Sequence, residues 1–378
     1  MTHVVVLGSG FGALTAVREI RKSKVDAQIT VVSPDNHLTY LPSLIWMPSG
    51  LRNGADIDVN LEKFFARENV VWHQGRVASV KDGGRLVVTE AGEEISNDYL
   101  IIATGSRFIK KLPGLVEHGI IPCTGPAAGQ MIHDRINDME GGTIAFGFGT
   151  NPKEPGAVRG GPMFEFLFGV ETLLRKQGRR DKFNLVFFKG SEKPGIRLGE
   201  KAVKGLLGQM AKRGIKTHLG AKPKQITADK VVTEREEFDA DLTLFMPGMT
   251  GPEWLDNTDL PRSEGGFIKA DAMCRVEGWE RTFVVGDTGS YPGPQWLAKQ
   301  AHQADLQAEA AVANILADLK GQPMSHEFKI ELICIVDTID KGILVYRKGD
   351  RTLFLPPMKA FHWAKRMFER HYLRAYRK

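Results

Sequence analysis

Short apolar runs bounded by turn residues alternate along this chain with longer stretches whose apolar positions recur at helical spacing. Val4–Leu7 is the first run, Leu14–Lys22 has helical periodicity, and Gln28–Ser33 is a second run. That order predicts a parallel strand–helix–strand unit. A hairpin-like region, Val70–Thr89, leads to the run Asp98–Ser106. The pattern then restarts with a strand at Thr143–Gly149, a helix at Met163–Lys176 and a strand at Asn184–Phe188. Further strands are predicted at Asp241–Met246 and Thr282–Val285. A long Ala/Gln/Leu-rich helix follows, from Gln295 to Leu319, stopped near Gly321 and Pro323. Strands over Glu327–Leu355 and one last helix complete the chain. The expectation is an α/β protein with two parallel-sheet modules, the second inserted in the first. Its divisions are 1–108 and 239–321 for the first module, 109–238 for the second, and 322–378 for a C-terminal region.

The turn after the first strand carries chemistry. Gly8-Ser9-Gly10-Phe11-Gly12-Ala13 joins strand to helix as Gly-x-Gly-x-x-Ala. In a dinucleotide-binding unit the first glycine permits the tight turn and the second lets the backbone approach a pyrophosphate. The small Ala13 allows close helix–strand packing. The diphosphate would sit on the helix N-terminus, where unpaired N–H groups and the dipole favour negative charge. Both modules are therefore expected to be Rossmann-like.

Composition changes the picture in two places. The net charge of +6 resides in residues 359–378, where Lys359, Lys365, Arg366, Arg370, Arg374, Arg377 and Lys378 face one acid, Glu369. The body is neutral, so the charge does not argue for a nucleic-acid-binding surface. Cys123, Cys274 and Cys334 are too few for a disulfide framework, and the chain has no CxxC pair, so no metal site is predicted. Met1-Thr2-His3 leads straight into the first strand, which predicts no signal peptide, and no run approaches a membrane-spanning length.

The second glycine turn, Gly147-Phe148-Gly149-Thr150-Asn151-Pro152, places Pro152 where a third small residue should pack. The strand that should end in an acid ends in Phe188-Lys189. This module is read as having kept its fold and lost NAD(P)H. Cys123, in Ile121-Pro122-Cys123-Thr124, stands just ahead of a helix that Thr124 would cap, a setting that favours thiolate. Cys334 lies in an apolar strand; taken alone, each thiol is equally a small buried hydrophobe, and Cys274 is read as structural. The tail read as a helix gathers Met358, Phe361, Ala364, Phe368, Tyr372 and Tyr376 on one face and the basic residues on the other, with Trp363, Met367 and Leu373 off pattern. A basic amphipathic helix predicts an anionic membrane surface; the alternative is a docked helix with a solvated basic face.

Ala103-Thr104-Gly105 and Gly286-Asp287, each after an apolar strand, resemble the further fingerprints of flavoproteins with two dinucleotide-binding domains. Together with Pro122-Cys123-Thr124, Gly160-Gly161-Pro162-Met163-Phe164-Glu165-Phe166, the Cys334 strand and the run from His362 to Leu373, the chain resembles the sulfide:quinone oxidoreductases. These are relatives of flavocytochrome c sulfide dehydrogenase and of type II NADH:quinone oxidoreductases. The resemblance implies FAD, held by Gly8, Gly10, Phe11, Gly12, Ala13, Ser33, Val77, Ala103, Thr104, Gly105, Gly286, Asp287 and Lys299; because no cysteine lies near the Gly8 motif or Ser33, the expectation is that it is bound without a covalent link. It implies Cys334 as the flavin-side thiol, Cys123 as a second thiol, and Glu165 as proton relay. Lys299, Ile335 and Phe361 would border a membrane quinone, with sulfide as reductant. Three departures stand out. No cysteine precedes Gly161-Pro162, Ala127 occupies the place of a frequent histidine, and Ser33 that of a ribose-binding acid. Alternatives are a type II NADH:quinone oxidoreductase, a flavoprotein serving a cytochrome, and a flavin-binding sensor without catalysis. Homo-oligomerisation is left open.

Overall fold

The computed structural model describes all 378 residues. β1 (Thr2–Leu7) runs through the turn at Gly8 into α1 (Phe11–Lys22) and back along β2 (Ala27–Ser33). Their parallel register pairs Val4 with Ile29 and Leu7 with Val32. β3 (Val70–Gln74) and β4 (Tyr99–Ile102) extend the sheet on its two sides. The chain then leaves for a second sheet built from β5 (Gly119–Ile120), β6 (Gly142–Phe148), β7 (Phe183–Lys189), β8 (Lys216–Leu219) and β9 (Leu242–Met246). Between these strands lie α2 (Pro126–Asp138), α3 (Gly160–Lys176) and α4 (Glu200–Lys212). β10 (Thr282–Val284) returns to the first sheet. The strand orders are β10-β4-β1-β2-β3 and β5-β9-β6-β7-β8, so the second module is inserted in the first. α5 (Ala301–Leu319) then packs on α1. The antiparallel strands β11 (Leu332–Asp337), β12 (Gly342–Lys348) and β13 (Arg351–Met358) end in α6 (Lys359–Arg377).

Strands buried on both faces explain the near-continuous apolar runs: Val4–Leu7 and Tyr99–Ile102 are fully buried. Three expectations change. Val70–Gln74 is not half of a hairpin but the edge strand β3, in parallel register with β2. Leu242–Met246, assigned from sequence to the first module, pairs in parallel with β6 and completes the second sheet. The long helix starts at Ala301 rather than Gln295. Ahead of it Leu297 N–H closes a turn onto Pro294, and the Trp296 and Leu297 carbonyls accept from the Arg197 guanidinium instead of from a helical ladder.

The last helix also presents a different face. His362, Glu369, Leu373 and Tyr376 are buried against the body, while Trp363, Met367 and Phe368 are 57%, 70% and 55% exposed. Two of the residues that broke the sequence pattern, Trp363 and Met367, thus lie on the outward side while the third, Leu373, is buried, and Tyr372 and Tyr376 of the expected outer face pack inward, tilted or edge-on against Phe11, Tyr40 and Phe64. The docked side is fixed by an ion pair. Arg52 approaches Glu369 at 2.5 Å, and Ser43 Oγ donates to Glu369 Oε1 at 2.7 Å. Removing one partner of such a buried pair strands the other, at about 3–5 kcal/mol. Glu369→Ala should therefore raise deuterium uptake across α6 while the two parallel sheets keep their protection; unchanged uptake in α6 would show that apolar packing alone holds the helix.

Candidate active site

The two modules meet over one cleft of about 1500 Å³, larger than a single small-ligand pocket. Its first-module wall is the Gly8 turn. Gly8 has φ +104°, and a Cβ there would lie 2.5 Å from the Ala103 carbonyl oxygen. A Cβ on Gly12 would lie 2.8 Å from Val285. Gly10 differs, because a side chain there would meet only open space in the cleft. α1 begins at Phe11 without a side-chain cap, so its first N–H groups face that space. A cradle of this shape and polarity fits a dinucleotide diphosphate.

Of the expected cofactor residues, Gly10, Phe11, Gly12, Ala103, Gly105, Gly286, Asp287 and Lys299 line the cleft. Gly8 and Ala13 support it from behind. Ser33 does not reach it. Its hydroxyl donates to the Asp35 carbonyl at 2.6 Å and accepts from Trp72 Nε1 at 3.0 Å, so it is spent within the fold. Val77 is buried in a small core beside Leu7 and Val32, away from the cleft, and Thr104 Oγ1 accepts from Trp254 Nε1. Asp287 is held by Arg159 at 2.5 Å, a residue the sequence did not single out. Lys299 precedes α5 instead of lying on it. Its ammonium donates to the carbonyls of Asp287 (3.1 Å) and Gly289 (2.5 Å), sits 3.9 Å above the Phe267 ring, and is lowered by burial to about 8.

Both candidate thiols line the same cleft. Neither is set up as a thiolate. Cys123 stands in a 3-10 turn, Pro122–Thr124, and Thr124 Oγ1 donates back to the Ile121 carbonyl while Gly125 caps α2. Burial raises the Cys123 thiol to about 11 and the Cys334 thiol to about 12, the latter pushed further by Glu165 and relieved by Lys365. The expectation of a lowered thiol pKa is thus reversed, because the groups around each thiol are apolar or balanced. Cys274 is buried in the main core, outside the cleft.

Glu165, on α3, is the centre of a buried network. Its Oε1 accepts from the Asp337 backbone N–H at 2.8 Å and pairs with Lys365 Nζ, which also donates to the Ile335 carbonyl at 3.1 Å. Asp337 in turn accepts from Trp46 Nε1 (2.9 Å) and His362 Nδ1 (2.8 Å). Sequence alone assigns Asp337, His362 and Lys365 no individual role; Asp337 and Lys365 meet Glu165 directly, and His362 joins them through Asp337. Ile335 lines the cleft, but Phe361 does not. It packs over Gly342 beside Ile335, and Ala364, Phe368 and Tyr372 of α6 supply that wall instead. Asp305, at the start of α5, accepts from Thr15 (2.6 Å) and Tyr372 (3.3 Å) on the same side.

At the second-module end of the cleft the glycine turn does not run directly into a helix. After Gly149 the chain makes a short bridge between Asn151 and Glu154, and α3 starts only at Gly160. The cleft-lining residues Gly160, Gly161 and Pro162 open α3, so its start is separated from the glycine turn instead of following it directly as α1 follows Gly8 and Gly10.

A model of the pyridine nucleotide-disulphide oxidoreductase family matches residues 2–134 and 189–308. The chain belongs to this family. Residues 135–188, which hold the Gly147 turn and α3, fall between the two matched segments. The sulfide-quinone reductase of Aquifex aeolicus is 25% identical over 98% of this chain and 90% of the relative. The mitochondrial sulfide:quinone oxidoreductase of Dictyostelium discoideum is 25% identical over 91% and 77%. Among solved structures, the Aquifex aeolicus sulfide:quinone oxidoreductase covers 100% of this chain and 92% of its own at a TM-score of 0.91 and 23% identity. NDH2 of Plasmodium falciparum shares the fold at 0.75 and 11%, covering 97% and 94%.

Burial raises the Glu165 carboxyl to about 7, with Lys365 drawing it back. Because the folded value lies above the free one, the group's contribution to stability is present in acid and lost as pH rises through about 7. Infrared difference spectra should show a protonated carboxyl band that bleaches as pH rises through about 7 and is missing in Glu165→Gln. A band that persists in Glu165→Gln would assign the titration elsewhere.

Proposed function

We propose that this chain is an FAD-dependent sulfide:quinone oxidoreductase. The observation that carries the reading is the placement of Cys334 in one cleft with the Gly10 cradle, beside the buried Glu165–Lys365 pair. FAD, when bound, accepts an electron pair from a sulfur nucleophile and releases it to a quinone.

The protein's own residues handle protons and position. Cys334 rests as a thiol, so its proton must leave as sulfur–sulfur bonding begins. Glu165, whose charge bears directly on that thiol, is the group placed to accept it once ionised. Lys365 compensates the buried carboxylate and ties it to α6. One hydrosulfide and the Cys334 thiol give a persulfide anion on Cys334, two protons and two electrons, for which bound FAD would supply the acceptor. Cys123 is the other thiol in the cleft. Lys299, Ile335, Phe368 and Tyr372 border the quinone side, with Phe361 behind Ile335. Arg159 and Lys299 hold Asp287 and its strand end in place for the ribityl chain.

The second reading, a type II NADH:quinone oxidoreductase, shares the fold. Pro152, the late start of α3 and Lys189 at the end of β7 count against a nicotinamide site. Anaerobic addition of sulfide should bleach the bound flavin, and NADH or NADPH should not. Cys334→Ser should lose sulfide-dependent quinone reduction, while Cys274→Ser keeps it. Rapid bleaching by micromolar NADH, or normal turnover in Cys334→Ser, would overturn this assignment.

No helix of the protein is long and apolar enough to cross a membrane. The outward stripe of α6 (Trp363, Met367, Phe368), flanked by exposed Lys359, Arg370 and Arg374, suits the surface of an anionic bilayer. Replacing Trp363 and Met367 by Ser removes apolar area worth about 1.5–3 kcal/mol for each side chain that becomes fully buried. The double variant should sediment at least several-fold less with phosphatidylglycerol vesicles and still be bleached by sulfide. Equal sedimentation of variant and parent would remove α6 as the anchor.

A further inference from the structure

Behind Asp287 lies a second, smaller chamber of about 160 Å³, set between the loop from β6 to α3 and the segment that leads from β10 into α5. Gln300, Gln303 and Gln307 give three amides to its wall. Gln307 Oε1 accepts from the Gly286 N–H at 2.9 Å. Gln303 Nε2 donates to the Lys329 carbonyl at 2.9 Å, but Gln303 Oε1 is buried and finds no partner in the protein. Gln300 Nε2 is in the same position. Buried amide atoms of this kind are ordinarily satisfied by internal water. The chamber is polar and has room for about five water molecules at ~30 Å³ each.

A titratable group stands at each end. Lys299 lines both the chamber and the cleft. Its ammonium carries three protons, and two of them are taken by the Asp287 and Gly289 carbonyls. Loss of the third breaks neither bond, and burial has already lowered the group to about 8. The Asp287 and Glu154 carboxylates favour the ammonium, while the Arg197 and Arg159 guanidiniums oppose it. Glu154, on the loop between β6 and α3, is half-buried and lines the chamber but not the cleft. Its Oε1 accepts from Ser290 Oγ at 2.7 Å, and its N–H donates to the Asn151 carbonyl at 3.1 Å. A Cβ on Gly265 would lie 2.8 Å from Glu154 Oε2, so the glycine makes room for the carboxylate.

We infer that this chamber is a proton inlet: Glu154 takes protons from solvent, water held by Gln300 and Gln303 carries them, and Lys299 passes them into the cleft. The inference rests on the quinone reading above. A quinone becomes a quinol by gaining two electrons and two protons. The sulfide step supplies the electrons but releases its own protons beside Cys334 and Glu165. Lys299 gives its third proton to a quinol oxygen, remains as the amine on its two carbonyls, and is recharged from the chamber. The loop that stands between the second glycine turn and α3 thereby acquires a role, because it carries Glu154.

The test uses full-length FAD-loaded protein, its flavin reduced with dithionite to bypass sulfide, mixed anaerobically with decylubiquinone. Glu154→Gln and Gln303→Leu should each slow reoxidation about ten-fold or more and enlarge its solvent deuterium isotope effect. Glu154→Gln should also move the fall in rate with rising pH to lower pH, since that carboxylate favours the Lys299 ammonium. Glu154→Asp, or acetate added to Glu154→Gln, should restore most of the rate. Infrared spectra of the resting protein should contain enclosed-water bands that shift in oxygen-18 water and weaken in Gln303→Leu. Parent-like rates in both variants would overturn the inference. So would a slowing that is equal at every pH and untouched by acetate, which would leave Glu154 a structural role alone. A parent protein that quinone does not reoxidise would overturn the reading beneath the inference instead.

Discussion

The structure turns on one buried charge. Glu165 sits on α3 of the inserted module, its counter-ion Lys365 on the C-terminal helix, and its backbone donor Asp337 at the end of the Cys334 strand. Three segments far apart in the chain are thereby held at a single carboxylate, which also sets the electrostatic surroundings of the Cys334 thiol. Desolvation alone would leave the group neutral. The lysine and the amide recover part of the cost of charging it, and the result is a group poised near neutrality instead of fixed in one state. Asp337 extends the arrangement by taking Trp46 and His362, so the first turn of α6 is locked before Lys365 reaches inward. Docking of the tail and proton affinity at the thiol are therefore one physical question.

How much of this was legible in the sequence follows from how local each interaction is. The Gly8 turn could be read because its demands lie within a few residues: a positive φ at Gly8, contact at Gly12, open space at Gly10. Pro152 was readable for the same reason. Ser33 misled because a hydroxyl near a ribose site looks free until its partners, Asp35 and Trp72, are known. The Cys123 reading failed on one residue, since Thr124 turns back to Ile121 and leaves Gly125 to cap the helix. Lys365, Asp337 and Arg159 could not be found from the chain alone, because each acts through a partner more than a hundred residues away. The strand Leu242–Met246 was seen as a strand but placed in the wrong sheet; apolar composition specifies burial, whereas membership depends on which parallel neighbour is vacant.

The inserted module combines a regular parallel sheet with a carboxyl edge that departs from the pattern of the first module. Its sheet is as regular as the first, with β6 flanked by β9 and β7 in uninterrupted parallel register. What changed is confined to the carboxyl edge: a proline, a loop in place of a helix start, and a lysine where an acid would hold a ribose. Such edges tolerate change because strand ends carry side chains into the crevice without bearing on the core.

The tail helix illustrates the opposite limit, where pattern identified the element and missed its orientation. Periodicity placed a helix at the right residues, but the apolar set was assigned to a single outward face. In the structure two apolar sets exist. Leu373 and Tyr376 join the core, while Trp363 and Met367 project outward on the other side. Between them, Phe368 and Ala364 line the cleft and are also exposed. That double exposure makes the helix a partition between the cleft and its surroundings. An apolar molecule lying on the outward stripe would meet Phe368, which lines the cleft together with Ile335 and Tyr372. A lipid-soluble acceptor would then reach the cleft along α6, and Lys365, which lines the cleft, pairs with Glu165 and donates to the Ile335 carbonyl, ties that helix to the Cys334 strand.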